Sequence, residues 1–381
     1  MRVSRRSAVD PFIVMDVMEA ARAAEAAGRH IIHMEVGQPG TPAPAAARKA
    51  LADAMEAGSL GYTVALGLPE LRARIARHYA ERYGVSLDPG RVVVTAGASG
   101  AFLLAFTALF DAGERVALGA PGYPSYRQIL RALSLEPVDI ETRAEARYQP
   151  EPDQVRAVAD LAGLIVASPA NPSGTMLSKA AMDGLIGAAA ERGTAFVSDE
   201  IYHGLTYGDR AVSALELSDD VVVVNSFSKY FSMTGWRVGW MVVPEGLIRT
   251  VERLAQNMFI CPPHASQVAA LAAMEATEEL EANRAVYAEN RRLMLEGLPR
   301  AGFTRIAPPD GAFYIYADVS EFTSDSLAFA REILNEAGVA VTPGLDFDPA
   351  RGHATLRFSY ARASADIAEG LERLRIFMNR R

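Results

Sequence analysis

The sequence predicts an α/β fold with a mostly parallel sheet covered by helices on both faces and a smaller α/β domain after it. Short apolar runs alternate with helical stretches of ordinary length, which is typical of parallel strands joined by helices. From about residue 265 the chain is rich in helix-forming segments and then offers further short strands. With 381 residues, half of them hydrophobic, the chain has enough material for one large and one small domain.

The elements follow from local patterns. Residues 46–83 are predicted to be helical, because apolar residues such as Leu71, Ile75 and Tyr79 recur at four-residue spacing. The uncharged run from Val92 to Phe110 contains glycines in its first half, which indicates a strand, a turn and a helix rather than a membrane span. The predicted strands of the large domain are Val92–Thr95, Arg115–Leu118, Leu164–Ala167, Ala195–Ser198, Val221–Asn225 and Val238–Val243. Those of the small domain are Phe303–Ile306, Ala312–Ala317 and Thr355–Phe358.

Composition excludes several classes of function. A formal net charge of −8 argues against a general nucleic-acid or anionic-membrane binder, because both partners require concentrated positive charge. The single cysteine, Cys261, excludes an intramolecular disulfide and offers no cysteine-rich metal site, so no metal is predicted. The arginines Arg2, Arg5 and Arg6 are followed by acidic residues instead of the apolar core of a signal peptide. We therefore expect a cytoplasmic protein.

The most informative segment surrounds Lys229. This lysine follows Ser226 and Ser228, and Arg237 comes eight positions after it. A lysine amine forms a Schiff base with an aldehyde, while hydroxyls and a guanidinium bind phosphate; pyridoxal 5'-phosphate carries both groups. An isolated lysine on a loop is usually a solvated charge, but the flanking residues favour a covalent cofactor site.

The segment has the form S-x-[ST]-K-x-x-x-x-x-G-x-R-x-G and resembles the class I/II aminotransferases of the pyridoxal-phosphate superfamily at every defining position. The resemblance extends from about Val36 to Arg357. It implies the fold type I architecture, in which a large domain has a mostly parallel seven-stranded sheet flanked by helices. Residues 1–45 would form an N-terminal arm and the first part of the small domain, 46–284 the large domain, and 285–381 the C-terminal small domain. It also implies a homodimer in which Tyr62 reaches the partner subunit's cofactor phosphate.

A glycine-rich turn, Gly97-Ala98-Ser99-Gly100, follows a predicted strand and precedes a helix. Its backbone amides can hold a phosphate at the helix N-terminus, although such turns also occur for purely structural reasons. The resemblance assigns the cofactor phosphate to Ala98, Ser99, Ser226, Ser228 and Arg237.

Four further residues would contact the cofactor ring. Asp199 ends an apolar strand, where its carboxylate can pair with a protonated pyridine nitrogen; Glu200 is the competing acid, and a helix N-cap is the structural alternative. The resemblance chooses Asp199, places Tyr202 and Asn171 at the phenolic oxygen, and stacks Tyr123 on the ring. From local pattern alone, Asn171 could serve its proline- and glycine-rich turn and Tyr123 could be an ordinary buried tyrosine.

Arg357 lies inside a short apolar strand, and its guanidinium fork fits either a substrate carboxylate or a structural salt bridge. The resemblance assigns it, together with Gly37 and Asn171, to the substrate α-carboxylate. Ser99 occupies the position where a bacterial aspartate-aminotransferase subgroup has a lysine for the distal carboxylate. We therefore expect neutral or aromatic amino donors to be accepted at least as well as aspartate.

The resemblance implies transfer of an amino group from an L-amino acid to a 2-oxo acid, taken to be 2-oxoglutarate, by a ping-pong mechanism through Lys229. Asp199 and Tyr202 would complete the catalytic group. A C–S β-lyase of the same fold is the alternative enzyme, because fold and cofactor do not determine reaction class. An effector-sensing domain of a transcription regulator is the non-enzymatic alternative. It is disfavoured because the resemblance begins near residue 30 and leaves little room for a preceding DNA-binding domain.

Overall fold

The computed structural model describes residues 1–58 and 60–381, which form two β-sheets with helices packed around them. The helices are α1 Ile13–Ala26, α2 Ala45–Ala57, α3 Pro69–Tyr83, α4 Gly97–Leu109, α5 Pro124–Ala132, α6 Pro152–Ala157, α7 Lys179–Ala190, α8 Ile248–Met258, α9 His264–Ala273, α10 Thr277–Arg300, α11 Ser326–Ala337 and α12 Ser364–Met378. The strands are β1 Ile32–Met34, β2 Val92–Thr95, β3 Arg115–Ala120, β4 Glu136–Glu141, β5 Leu161–Ala167, β6 Ala195–Asp199, β7 Val222–Ser226, β8 Gly239–Val242, β9 Ile306–Ala307, β10 Tyr314–Asp318, β11 Val339–Pro343 and β12 Thr355–Ser359.

The larger sheet has seven strands among the described residues, in the order β2-β8-β7-β6-β5-β3-β4. β4, β3, β5, β6 and β7 run parallel, and β8 is antiparallel to both of its neighbours. The predicted fold class is therefore confirmed. Because β2, β3, β5, β6 and β7 all run in one direction, the loops that follow them meet at one edge of the sheet, which is where open α/β sheets bind ligands.

The smaller sheet joins the two ends of the chain. Its order is β1-β11-β12-β10-β9, and β1 pairs in parallel with β11 in the register Ile32 to Val339. The N-terminal segment therefore belongs to the same layer as the C-terminal third of the chain. The boundary predicted between residues 284 and 285 falls inside α10, which runs through it as one helix.

The prediction of one continuous helix over residues 46–83 was wrong. Two helices, α2 and α3, are separated by a non-helical connection; Ser59, within the predicted range, lies outside the described residues. Gly67 has a φ of 94°, in the left-handed region, and a Cβ there would lie 2.5 Å from the Val94 side chain. Pro69 then occupies the first turn of α3, where its missing N–H costs nothing.

Two strands of the small domain were also misplaced. The predicted strand Phe303–Ile306 is only Ile306–Ala307, because only these two residues pair with β10, opposite Ala317 and Tyr316. The strand predicted at Ala312–Ala317 begins at Tyr314, since Ala312 has a φ of 58° that a β-strand does not accommodate.

No helix in the described part of the chain combines the length and apolar content that crossing a bilayer demands. The same residues contain no group of three or more His, Cys, Asp or Glu side chains arranged to hold a metal ion.

Candidate active site

A cavity opens at the carboxyl edge of the large sheet, where the small sheet faces it. The predicted site residues that line it are Gly37, Ala98, Ser99, Tyr123, Asn171, Asp199, Tyr202, Ser228, Lys229, Arg237 and Arg357. These residues come from segments that are far apart in sequence, and the strand ends bring them together. Ser226 lies behind the lining, and Tyr62 is outside the cavity with 83% of its surface exposed.

Lys229 follows β7 and extends its amine across the cavity toward the small sheet. Its Nζ donates to the carbonyl oxygen of Gly37 at 2.6 Å and lies 5.7 Å from the ring centroid of Tyr202. Burial, reinforced by the positive charge of Arg357, lowers the pKa of the Lys229 amine to about 8. At pH 7 about one molecule in ten then carries the neutral amine, which is the nucleophilic form.

Hydroxyls and a guanidinium gather where α4 begins. Ser226 Oγ lies 2.9 Å from Ser228 Oγ and 3.1 Å from the carbonyl oxygen of Val238, so it supports Ser228 from behind. Gly97 has a φ of 73°, and a Cβ at this position would collide with the Arg237 guanidinium. Glycine thus permits Arg237 to pack against the helix N-terminus, which is suited to binding a phosphate.

The side chains of the adjacent acids Asp199 and Glu200 lie in different surroundings. Asp199 lines the cavity, accepts hydrogen bonds from the Tyr126 hydroxyl and from the Ile201 N–H at 3.0 Å, and has its pKa raised to about 6 by burial. Residues 201–204 form turns, so Asp199 does not cap a helix.

Glu200 is fully buried away from the cavity lining. It accepts hydrogen bonds from the Ser213 hydroxyl at 2.9 Å and from the Ala214 N–H at 2.8 Å, and burial raises its pKa to about 8. These contacts stabilise the short turn at residues 214–216. The geometry therefore favours Asp199 over Glu200 as the acid that faces a ligand.

Arg357, on β12, is buried beside Asn171. Its Nη1 donates to Asn171 Oδ1 at 2.9 Å, and its Nη2 donates to Thr342 Oγ1 at 3.2 Å and to the carbonyl oxygen of Glu35. The guanidinium lies between the Tyr314 and Phe347 rings, with 4.3 and 4.7 Å to their centroids.

Within residues 1–58 and 60–381, no carboxylate is close enough to form a salt bridge with Arg357, and its buried Nε has no hydrogen-bond partner. A structural salt bridge was the alternative reading of this arginine, and the described residues do not form one. A buried guanidinium without a salt-bridge partner is instead suited to binding the carboxylate of a ligand.

Aromatic rings enclose the remaining walls. The Tyr202 hydroxyl lies 2.8 Å from that of Tyr314, and burial raises the pKa of Tyr202 well above its ordinary value. Tyr123 packs edge-to-face against Tyr126, with 5.2 Å between centroids. A Cβ at Gly37 would collide with the Tyr314 hydroxyl, so the close approach of this loop requires glycine.

Sequence reasoning missed Tyr126 and a wall built from α1 and the residue before it. Phe12, Val14, Met15 and Met18 all line the cavity. Spacing could have indicated Tyr126, which lies one helical turn after Tyr123 on α5. Nothing in the N-terminal sequence signals that this helix faces a site formed mainly by other parts of the chain.

Comparison with known proteins agrees with this geometry. Residues 29–374 match the family described as aminotransferase class I and II. The chain is 49% identical to the valine–pyruvate aminotransferase of Mycobacterium tuberculosis over 378 residues, which span 98% of this chain and 97% of that protein. A solved structure from Silicibacter pomeroyi is 70% identical over the whole of both chains, with a TM-score of 0.96. Aspartate aminotransferase from Thermus thermophilus, solved with maleate, is 33% identical over 99% of this chain and 100% of that chain, with a TM-score of 0.93.

The chain therefore belongs to the class I and II aminotransferases, and it is an aminotransferase that uses pyridoxal 5'-phosphate. The cavity contains chemical groups that fit this cofactor: a partly buried amine with a lowered pKa at Lys229, a buried carboxylate at Asp199, and the hydroxyl and guanidinium groups around the start of α4. The predicted family, enzyme class and cofactor are confirmed.

Proposed function

We propose that this aminotransferase moves the amino group of a neutral, apolar L-amino acid to a small 2-oxo acid by a ping-pong mechanism through Lys229. The observation that carries the proposal is the pairing, in one cavity, of a low-pKa lysine with a buried arginine. When bound, the cofactor supplies an aldehyde that takes up the amino group and a ring that withdraws electrons from the substrate's Cα.

Lys229 has two roles in this proposal. Its amine anchors the resting cofactor and, once displaced by the substrate amine, carries the proton that leaves or returns to Cα. A pKa near 8 suits both directions of proton transfer at neutral pH. The carbonyl oxygen of Gly37, 2.6 Å from Nζ, helps to orient the amine.

We assign the cofactor's other groups as follows. Asp199, which the Tyr126 hydroxyl and the Ile201 N–H hold in place, would pair with the ring nitrogen. Tyr123 would stack on the ring. Asn171 and Tyr202 would bind the phenolic oxygen, and Ala98, Ser99, Ser226, Ser228 and Arg237 would bind the phosphate.

Arg357 would bind the substrate α-carboxylate, helped by Gly37 and Asn171. The contact with Asn171 Oδ1 fixes the plane of the guanidinium before substrate arrives, so little orientation has to be gained on binding. This places the amino group of the substrate toward Lys229 and its side chain toward the α1 wall.

The cavity favours apolar side chains. The wall of the cavity on the α1 side consists of the apolar side chains Phe12, Val14, Met15 and Met18. The cationic side chains that line the cavity are Lys229, Arg237 and Arg357, and we have assigned each of them another role. A distal carboxylate buried there without a cation would cost several kcal/mol in lost hydration. The same argument favours pyruvate over 2-oxoglutarate as the acceptor, and the similarity to a valine–pyruvate aminotransferase supports it.

The proposal is tested by measuring kcat/KM for valine, alanine, phenylalanine and aspartate, each with pyruvate and with 2-oxoglutarate. We expect neutral donors to exceed aspartate, and we expect the reciprocal plots to be parallel, as a ping-pong mechanism requires. A strong preference for aspartate and 2-oxoglutarate would show that a cation outside our assignment binds the distal carboxylate.

Arg357→Lys tests the orientation of the substrate. An ammonium cannot form two parallel hydrogen bonds to a carboxylate, so KM should rise about 10- to 100-fold for every donor and acceptor, with relative side-chain preference little changed. A selective loss for dicarboxylic substrates would mean that Arg357 contacts the distal group instead.

We further propose a homodimer in which Tyr62 reaches the partner's cofactor phosphate. Several large apolar side chains are exposed around the α2–α3 connection and after α8, namely Met55, Tyr62, Val64, Met258 and Ile260. The two segments are in contact, since the Thr63 N–H lies 3.5 Å from Cys261 Sγ and His264 Nδ1 lies 2.8 Å from the Gly61 carbonyl oxygen. Exposed apolar side chains gathered on neighbouring segments are typical of a subunit interface.

Sedimentation velocity should therefore give twice the mass of one chain. Ile260→Asp should shift the population toward monomer, because it places a charge in the apolar interface. Tyr62→Phe should preserve the dimer and weaken cofactor binding; a monomeric wild-type enzyme with full activity would refute this assignment. The cytoplasmic location stays a prediction from composition.

A further inference from the structure

The N-terminus of α1 is capped by a residue from the other end of the chain. Phe12, at the capping position, has no side-chain acceptor. Instead the Ile13 N–H donates to Asp346 Oδ1 at 3.0 Å and the Val14 N–H donates to Asp346 Oδ2 at 3.2 Å, across 333 and 332 positions. Both carboxylate oxygens are thus used to satisfy N–H groups that the helix itself leaves unpaired.

The cap lies in protein rather than in solvent. Asp346 is 5% exposed, and burial raises the pKa of its carboxyl group while the nearby Arg357 charge opposes that rise. The other attachment of this segment is weaker: Asp10 binds Gln128 and Arg131 of α5 through contacts that are exposed. Exposed polar contacts contribute little, so Asp346 is the main fixed point of the helix start.

The segment that Asp346 holds forms part of the cavity. Phe12, Val14 and Met15 lie at the first turn of α1 and line the cavity, and the Phe12 ring lies edge-on to Tyr123 with 6.0 Å between centroids. Fraying of this turn would move the three side chains away from the space that the substrate's side chain occupies.

The loop that carries Asp346 also supports the carboxylate-binding end of the site. The next residue, Phe347, packs under the Arg357 guanidinium, and its carbonyl oxygen accepts a hydrogen bond from the Gly122 N–H at 3.0 Å. One short loop therefore sets the position of the α1 wall relative to Arg357 and to the loop of Tyr123.

We propose that Asp346 is a positioning residue that fixes the α1 wall against the substrate side chain and so sets the enzyme's preference for larger apolar amino acids over alanine. This inference rests on the proposed function, because it requires the side chain of the donor to face α1. Asp346 contacts neither Lys229 nor Asp199 in this arrangement, so its effect is on side-chain selection rather than on proton transfer.

The test uses the holoenzyme with Asp346→Ala and Asp346→Asn, and with Asp325→Ala as the control. Asp325 caps α11 through the Leu327 and Ala328 N–H groups in an exposed position, so its loss removes a carboxylate cap that lines no part of the cavity. We expect the ratio of kcat/KM for valine to that for alanine to fall about tenfold in Asp346→Ala, less in Asp346→Asn, and not at all in Asp325→Ala.

Hydrogen exchange gives a second measurement that does not depend on turnover. Amides of residues 13–18 should exchange at least several-fold faster in Asp346→Ala than in the wild type, with and without cofactor. Met15→Ala, which shortens the wall directly, should lower the same ratio of kcat/KM for valine to that for alanine. This variant provides the test of donor selection if Asp346→Ala does not fold.

The outcomes separate the two proposals. Faster exchange with an unchanged donor ratio, or an equal loss for valine and alanine, would overturn the role of Asp346 in selection. If the wild type used aspartate and rejected neutral donors, the proposed function would fail. In that case the role of Asp346 in selecting the donor side chain would be overturned together with the proposed function. Faster hydrogen exchange in Asp346→Ala would still establish that Asp346 anchors the start of α1.

Discussion

Lys229→Ala is expected to lower kcat for transamination by about 10⁴-fold or more, because it removes both the covalent anchor and the base that moves the Cα proton. Binding of the cofactor should survive, since Asp199 and the groups around α4 remain. Added methylamine should restore part of the activity if a missing amine is the cause. Spectrophotometric titration with pyridoxal 5'-phosphate and steady-state kinetics measure the two effects separately.

The chain offers a convenient control, because it contains only three lysines. Lys49 pairs with Asp53 on the surface and Lys179 is exposed at the start of α7. Lys49→Ala and Lys179→Ala should retain wild-type kinetics. Borohydride treatment of the holoenzyme should leave the cofactor mass on the peptide containing Lys229; attachment to another lysine would refute the assignment.

Asp199→Asn is expected to lower kcat by roughly 10³-fold, because a neutral amide cannot hold a proton on the ring nitrogen as a carboxylate does. The matched control is Glu200→Gln. Burial raises the pKa of Glu200 to about 8, so at pH 7 this side chain is mostly a neutral acid that glutamine resembles in shape and charge. The kcat of Glu200→Gln should stay within about threefold of the wild-type value.

Thermal unfolding completes that comparison. Glu200→Gln keeps one acceptor oxygen, which at the Oε1 position serves both the Ser213 hydroxyl and the Ala214 N–H, so its Tm should change by only a few degrees, about the effect of 1 kcal/mol in a large domain. Equal losses of kcat in the two variants, or a larger loss for Glu200→Gln, would reverse the assignment of the ring-nitrogen partner.

The buried strands were the most predictable part of the fold. Val92–Thr95 was predicted with the bounds it has, and Thr355–Phe358 was one residue short, because both are short runs of almost entirely buried residues. β4, at Glu136–Glu141, was missed because it is an edge strand with exposed charges and a proline, which resembles a loop in sequence.

The chemical groups of the site were also predictable, since a lysine among hydroxyls or an arginine inside an apolar strand is conspicuous in sequence. The α1 wall could not be predicted from the sequence. An amphipathic helix shows which of its faces is apolar, but the sequence does not say what that face meets. Only the cap by Asp346 and the contact of Phe12 with Tyr123 establish that α1 closes a cavity built elsewhere.

The cap on α1 also dictates an order of events during synthesis of the protein. Asp346 is synthesised 333 positions after Ile13. β1 likewise has no partner until the chain reaches Val339. The residues of the seven-stranded sheet, 92–242, have all been synthesised about a hundred positions before Val339 and Asp346. The start of α1 therefore lacks its cap while the strands of the cofactor-binding side are made, and the substrate side of the pocket can form only after Asp346 has been added.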